Sequence, residues 1–403
     1  MTKQSIDRNN VWSFHAQVQG VANAVSELLS EAIAEQDEEL LVILQTELRT
    51  VREWILENKQ SPKAIFEKLE SVRQQIESIE HHGIQNAVSI LQGTATELAQ
   101  ITGQHTAQML EAVLDNERSI RRKSLKSTLT DTEIKNMLDY KPFVDGKTIQ
   151  QWFGDLEYKI SSRIFQSVQK GIVEGMALHS IMQTVRGIDG FKPGIVKTNR
   201  QSAEILARTT INAVANQSRL EMFRANADAI DGVQWLATLD HRTCLICGSH
   251  DGKIWTKEKF YEVKVPPAHP NCRCVLIPYI DIGDAGIRPA EAENFDLLAK
   301  KKYDANPHAK EKYHELSHEY RRKLRYATME TFLQQTGNSP YRQVKGDITF
   351  ADYLKTQPES FQREWLGKMR FELYQSGKLS LDQMVHPNSG FKRTIEELRM
   401  AVK

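Results

Sequence analysis

The sequence predicts an α+β fold that is mostly α-helical. It should have an N-terminal helical bundle or coiled-coil hairpins, a small central α/β core with a Cys/His ribbon, and short C-terminal helices. Three observations carry this expectation. Apolar residues recur in alternating steps of three and four up to about residue 115; all four cysteines fall between positions 244 and 274; and the last stretch repeats helix-start signals.

Residues 1–128 are expected to form the helical arm or bundle. The sets Val18, Val21, Val25, Leu28, Ala32 and Leu41, Leu44, Leu48, Val51, Ile55 each place one apolar seam on a helix. Ile65, Leu69, Val72, Ile76, Ile79 and Ile84, Val88, Leu91, Ala95, Leu98 repeat the pattern. Pro62 sits where a helix can begin and Gly83 where one can end. Breaks near Asp37, Ser61 and Gly83 therefore predict helices of about twenty residues packed as antiparallel hairpins. Arg118, Arg121, Arg122, Lys123 and Lys126 follow as a basic cluster. Such a cluster more often faces solvent than phosphate, and this one has no interleaved aromatic residue.

Residues 129–198 read as a second helical unit. Trp152 and Phe153 anchor it, and Ile160, Ile164, Val168 and Ile172 step by four along one face. Gly187, Gly190, Pro193 and Gly194 mark a loop. Ser202 is a suitable N-cap for a helix through Arg224, with Ala207, Ile211, Val214 and Ala215 inward. Arg208 on that helix calls for a carboxylate, and Asp240 or Asp251 is the expected partner.

The core is expected over residues 199–285. Val233 to Leu239 alternates as a strand should, a second strand fits Lys253-Ile-Trp255, and a third fits Arg273 to Ile277, stopped by Pro278. Cys244 and Cys247 are two residues apart, and His269 and Cys272 repeat that spacing some twenty residues on. Two such knuckles closing on one ion are the pattern of a structural zinc site. Cys244, Cys247, His269 and Cys272 make a Cys3His tetrahedron, with Cys274 as a rival fourth ligand. Disulfides are the alternative use of these thiols, but four cysteines in 403 residues are too sparse for a disulfide scaffold. So small a sheet would be marginal alone, and bound metal supplies stability that burial cannot.

Residues 286–403 are expected to turn helical again after Pro289. Positions 291–330 carry nine basic and eight acidic side chains, the composition of a solvated helix laced with ion pairs. Thr349 with Asp352, Ser380 with Gln383, and Thr394 with Glu397 have capping-box spacing, and Gly367, Gly377 and Gly390 separate short helices.

Function classes narrow from the same residues. With 53 basic against 52 acidic side chains, no global field draws the chain to nucleic acid or a membrane. No apolar run has the length of a bilayer span, and the chain reads as a soluble protein assembled in a reducing cytoplasm. His250-Asp251 and His269-Pro-Asn271 could pass for pieces of a His-Asn-His nuclease site. A closed four-ligand site, however, leaves metal no open position for water, and the expectation is that the chain is not an enzyme.

The ordered set Ala207-Arg208-Thr209, Asn212, Trp235, Asp240 to Cys247, Asp251-Gly252 and Pro266 to Cys274 resembles the phage Mu protein F-like family. Its members are minor head, or head morphogenesis, proteins of tailed bacteriophages. The resemblance covers about residues 201–278, with a weaker echo in Tyr353 to Pro358, Leu366-Gly367, Arg370, Gly377 to Leu379 and Leu381. Many relatives carry an acidic residue where this chain has Thr210. The resemblance implies a minor capsid protein inside the virion near the portal. Its implied partners are portal protein, major capsid or scaffold protein and packaged DNA, with ejection alongside the genome. The rival from another class is a zinc-containing DNA-binding or nuclease protein acting on phage DNA.

Overall fold

A computed structural model describes residues 8–58, 61–113, 125–140, 146–188, 192–280, 286–309, 312–316, 318–386 and 390–402. Two helices dominate the N-terminal part: α1 (Arg8–Asn58) and α2 (Pro62–Val113), of 51 and 52 residues. At 1.5 Å per residue each is about 77 Å long. The expected break near Ser61 is present and Pro62 opens α2, but the expected breaks at Asp37 and Gly83 are not. Asp37 stays in the helix because its buried carboxylate accepts from Arg200 Nε at 2.6 Å. Gly83 marks a close approach and not an end, since a Cβ there would lie 2.8 Å from Gln36 Cγ. The hairpin is therefore one long pair instead of several short ones.

The seams are largely as read. Val18, Val25, Leu44, Leu48, Val51, Leu69, Val72, Ile76 and Leu91 are buried, but Leu28 is 51% exposed and its neighbour Leu29 takes the inward place. The helix turns 100° per residue, so a one-residue drift in the seam over two turns is enough to swap them. Of the basic cluster, Arg118, Arg121, Arg122 and Lys123 lie outside the described residues. Lys126 is bound to Glu133.

Four further helices complete this layer: α3 (Asp131–Tyr140), α4 (Ile149–Val173), α5 (Leu178–Arg186) and α6 (Ile195–Ala225). Thr148 and Gln151 form a capping box at the start of α4, and Phe153, Ile160, Ile164 and Val168 face inward from it. One apolar core runs through α1 to α6, from Phe14 and Leu48 through Phe153 and Ile164 to Ile211 and Met222. Ser202 is not a cap. Helix α6 starts eight residues earlier with Gly194 as N-cap, and the Ser202 hydroxyl donates to Thr198 O within the helix. Two-residue strands β1 (Gly187–Ile188) and β2 (Lys192–Pro193) pair between α5 and α6.

The central sheet has three antiparallel strands in the order β4-β3-β5, with β3 (Gly232–Leu236) between β4 (Ile254–Thr256) and β5 (Val275–Tyr279). Helix α7 (Leu245–His250) lies in the connection from β3 to β4. The third strand does not stop at Pro278. That proline sits inside β5 opposite Val233, because β5 is an edge strand and proline's missing N–H is tolerated there. Strand β3 also ends earlier than the alternation implied, and Leu239 instead bridges to Ala290.

The C-terminal part contains a sheet that the sequence did not announce. Strands β6 (Ile287–Glu291) and β7 (Tyr341–Lys345) pair antiparallel, with Pro289 inside β6. Between them run α8 (Phe295–Asp304) and α9 (His318–Thr336), followed by α10 (Phe350–Lys355), α11 (Glu359–Leu366), α12 (Lys368–Gln375) and α13 (Ile395–Ala401). The boxes Thr349/Asp352 and Thr394/Glu397 cap α10 and α13. Ser380 and Gln383 bond to each other, Ser380 N donating to Gln383 Oε1 at 2.9 Å, but they cap no α-helix: the 3-10 turn Asp382–Met384 that follows has Leu381 as N-cap and no side-chain cap. Phe350, Tyr353, Leu366, Phe371 and Met384 share a core with Leu239 and Leu245 of the ribbon. Among the described residues no helix is long and apolar enough to cross a membrane.

Candidate metal centre

The five expected donors converge. Cys244 Sγ lies 3.2 Å and Cys247 Sγ 3.0 Å from His269 Nε2, and the Cys247 and Cys272 sulfurs are 3.6 Å apart. Donor atoms fall into two triads, Cys244, Cys247, His269 and Cys247, Cys272, Cys274, each within 4.8 Å, with Cys247 common to both. All four thiols are free. Sulfurs bound at 2.3 Å to one tetrahedral ion stand about 3.8 Å apart, so the spacing matches a metal cluster. The imidazole is set for ligation too. Its Nδ1–H donates to Pro270 O at 2.8 Å, which leaves the Nε2 lone pair facing the sulfurs. The residues present therefore fit a metal ion.

The site's electrostatics point the same way. Burial pulls His269 down, but its hydrogen bond to Cys244 and the charges of Cys272 and Cys244 raise it to about 9. Hydrogen bonding from Cys247, opposed by burial and helped by His269, lowers the Cys244 thiol to about 4. Thiolate and imidazolium thus stabilise each other, and a cation can replace the imidazole proton.

Helix α6 holds the second knuckle by its backbone. Asn212 Nδ2 donates to Cys272 O at 2.8 Å, and Asn216 Nδ2 donates to Cys274 O at 3.1 Å. Asn216 Oδ1 accepts from Leu276 N at 2.9 Å, and Thr209 Oγ1 accepts from Asn271 N at 3.0 Å. Asn271 can close this tight turn because asparagine tolerates its φ of 59°. From α1, His15 Nε2 donates to Arg273 O at 2.8 Å. The first knuckle is gripped from the other side: Trp365 Nε1 donates to Thr243 O at 2.6 Å, and Gly248 lies so close to Phe350 that a Cβ would clash at 2.5 Å.

Arg208 does not reach either expected carboxylate. It donates to Asn271 Oδ1 at 3.0 Å and to Ser26 Oγ at 3.2 Å, and it faces Glu204 one turn back. Asp240 belongs to Arg273, whose Nη2 lies 2.9 Å from Oδ1. Burial would raise Asp240, but that guanidinium more than offsets it and holds the carboxyl far below its usual range. Asp251 accepts from Ala237 N at 2.7 Å, Phe350 N at 2.6 Å and Arg288 Nη1 at 3.1 Å. His250 Nδ1 donates to Ile246 O. The residues that resembled nuclease fragments are thus engaged in structural contacts.

A buried charge cluster beside the ribbon escaped sequence reasoning. Glu291 binds Arg325 through one oxygen and His241 Nδ1, at 2.9 Å, through the other. His241 Nε2 meets Gln357 Oε1 at 3.1 Å, and Arg325 Nε lies 3.2 Å from Asp296. Isolated charges in a Lys/Glu-rich stretch look like a solvated surface, and only the partner's position in space reveals otherwise.

Residues 160–277 match the family model of the Phage Mu protein F like protein. That segment belongs to the phage Mu F-like family. The match runs from within α4 through α5, α6, the three-stranded sheet and the whole Cys/His cluster, and reaches further toward the N-terminus than the motif quoted above. The weaker echo at 353–381 lies outside it. The match bears out the resemblance to phage Mu F-like head morphogenesis proteins over residues 160–277. Comparison with curated proteins and with solved structures returns no match.

Proposed function

We propose that the protein is a non-enzymatic minor component of a tailed-phage head. It would sit at the inner face near the portal, contact portal and capsid or scaffold proteins during assembly, and leave with the DNA. Its core would be pinned by one structural zinc ion on Cys244, Cys247, His269 and Cys272. The observation that supports this most is the inward-facing donor cluster, three of its five members buried, whose backbone is tied to three separate parts of the chain. A catalytic metal needs an open coordination position on a cleft, and a closed cluster suits a joint. Nothing in the geometry favours the nuclease alternative, since Asp251 and His250 are engaged elsewhere.

Elemental analysis of purified protein, together with a pull-down on portal protein, tests this proposal. One zinc per chain and capture by portal are expected, both reduced in a Cys244→Ser/Cys247→Ser variant, which should also fail to enter heads. A variant that melts and is incorporated like wild type would overturn it.

A further inference from the structure

Helix α1 keeps three large apolar side chains exposed among its described residues: Leu28, Val42 and Leu56, at 51%, 65% and 74%. They stand fourteen residues apart, two heptads each time. At about 100° per residue, fourteen residues fall about 40° short of four turns, so the three lie along one slowly drifting stripe. The stripe runs opposite the core, which Leu29, Leu40, Leu44, Leu48 and Val51 face. Single exposed apolar residues are ordinary on a protein surface, but this set carries a symmetry.

The positions midway along the stripe are Glu35 and Arg49, both exposed. Neither side chain has an ion pair or hydrogen bond among the described residues. From Val42 outward the stripe therefore reads charged and then apolar in both directions, with Glu35 seven residues before and Arg49 seven residues after. Laid antiparallel on a copy of itself about a dyad at Val42, it puts Val42 on Val42, Leu28 on Leu56 and Glu35 on Arg49. The last two contacts then occur twice, as an isologous interface requires. A parallel alignment would instead set Glu35 on Glu35 and Arg49 on Arg49. Val42 also borders a groove of about 320 Å³ walled by Leu178 and Met182 of α5, which widens the apolar strip at the dyad.

We propose that α1 is the interface of a reversible antiparallel dimer, in which a second copy of this chain docks along Leu28, Glu35, Val42, Arg49 and Leu56. A seven-residue repeat over this stretch gives two such helices a left-handed supercoil, which absorbs the drift of the stripe. Helices touching from Leu28 to Leu56 share a strip about 42 Å long and about 10 Å wide, or roughly 400 Å² on each copy, half of what a stable complex buries. Glu31 falls opposite Glu53 in the same register and opposes the pairing. Both effects set the affinity in the micromolar range and not the nanomolar. The dimer does not rest on the role in the head proposed above.

The test is sedimentation equilibrium of the full-length, zinc-loaded protein from about 5 to about 500 µM, a range that brackets the affinity a contact of this size gives. A monomer–dimer equilibrium is expected. Glu35→Arg and Arg49→Glu should each weaken it at least about tenfold, because each substitution turns two attractive pairs into two repulsive ones, and the double variant should return to within about threefold of wild type. Val42→Glu should abolish it by setting two carboxylates face to face on the dyad. These side chains are exposed, so melting and zinc content should match wild type in every variant. With a short bis-maleimide, Val42→Cys should link to itself, and Leu28→Cys should link to Leu56→Cys in a mixture but neither to itself. Wild type that stays monomeric across the range would overturn the proposal and leave the stripe to a different protein. So would a double charge swap as weak as either single one, or Leu28→Cys linking to itself, the mark of a parallel pair.

Discussion

Glu80 offers a quantitative test of the long hairpin. It lies on α2, only 4% exposed, facing the acidic side chains of Asp37 on α1 and Glu157 on α4. Burial first, and then those two negative charges, raise its carboxyl to about 8, against an ordinary 4.5. A carboxyl raised in the folded state binds more protons folded than unfolded, so stability is greatest below pH 4.5 and falls as pH climbs to 8. Three and a half pH units at 1.36 kcal/mol each put the full penalty at about 5 kcal/mol, as an order of magnitude. Replacing Glu80 with Gln keeps the shape and removes the charge. Chemical denaturation with saturating zinc should show the variant within about 1 kcal/mol of wild type at pH 5 and about 3–5 kcal/mol more stable at pH 9. Asp37, raised to about 6 by burial against the pull of Arg200, titrates in the same sense and remains in both proteins, so it cancels to first order. An equal difference at the two pH values, or a Glu80 carboxyl titrating near 4.5 by NMR, would refute the packing of α1, α2 and α4 around this residue.

Other substitutions probe the ribbon and its clamp. Cys247→Ser should abolish stoichiometric zinc, because that sulfur belongs to both donor triads, whereas Cys274→Ser should keep about one equivalent by elemental analysis. Asn216→Leu strips partners from Cys274 O and Leu276 N and should cost about 2–5 kcal/mol in denaturant melts, with α6 still helical. Arg325→Met leaves Glu291 buried without its cation and should cost about 3–5 kcal/mol, much of it recovered in the double variant with Glu291→Gln.

Patterns that repeat along the chain were legible in the sequence, and meetings between distant residues were not. Apolar steps of three and four gave the long helices, and paired spacings gave the donor cluster, because both are local periodicities. Helix lengths were misjudged for a local reason as well. Gly83 and Asp37 look like terminators in one dimension, yet they make room for Gln36 and bind Arg200. The β6-β7 pair was invisible because its strands lie some fifty residues apart, and one of them contains Pro289. Arg208 was given a carboxylate on the rule that buried cations need one. Its partners are Glu204, one helical turn back and readable from i,i+4 spacing, and Asn271 and Ser26, which no spacing selects.

The polar stripe on α6 bears on why metal is needed at all. Asn212, Asn216 and Thr209 spend side-chain amide and hydroxyl groups on ribbon backbone, which supplies hydrogen bonds that three short strands cannot give the knuckle. Those bonds fix where the second knuckle sits, but they do not tie it to the first, which hangs from Trp365 and Phe350 of the C-terminal helices. Apart from the Asp240–Arg273 ion pair, it is the donor cluster that spans the two, with Cys244 and Cys247 on one side and His269 and Cys272 on the other. An ion there would couple the N-terminal helical layer to the C-terminal unit across a few ångströms. Because α1 also meets the C-terminal part directly, through Arg322 on Asn23 and Glu27, removal of the ion should loosen the ribbon before either part unfolds, and chelator treatment should expose cleavage sites at 240–275 while α1 and α2 stay protected.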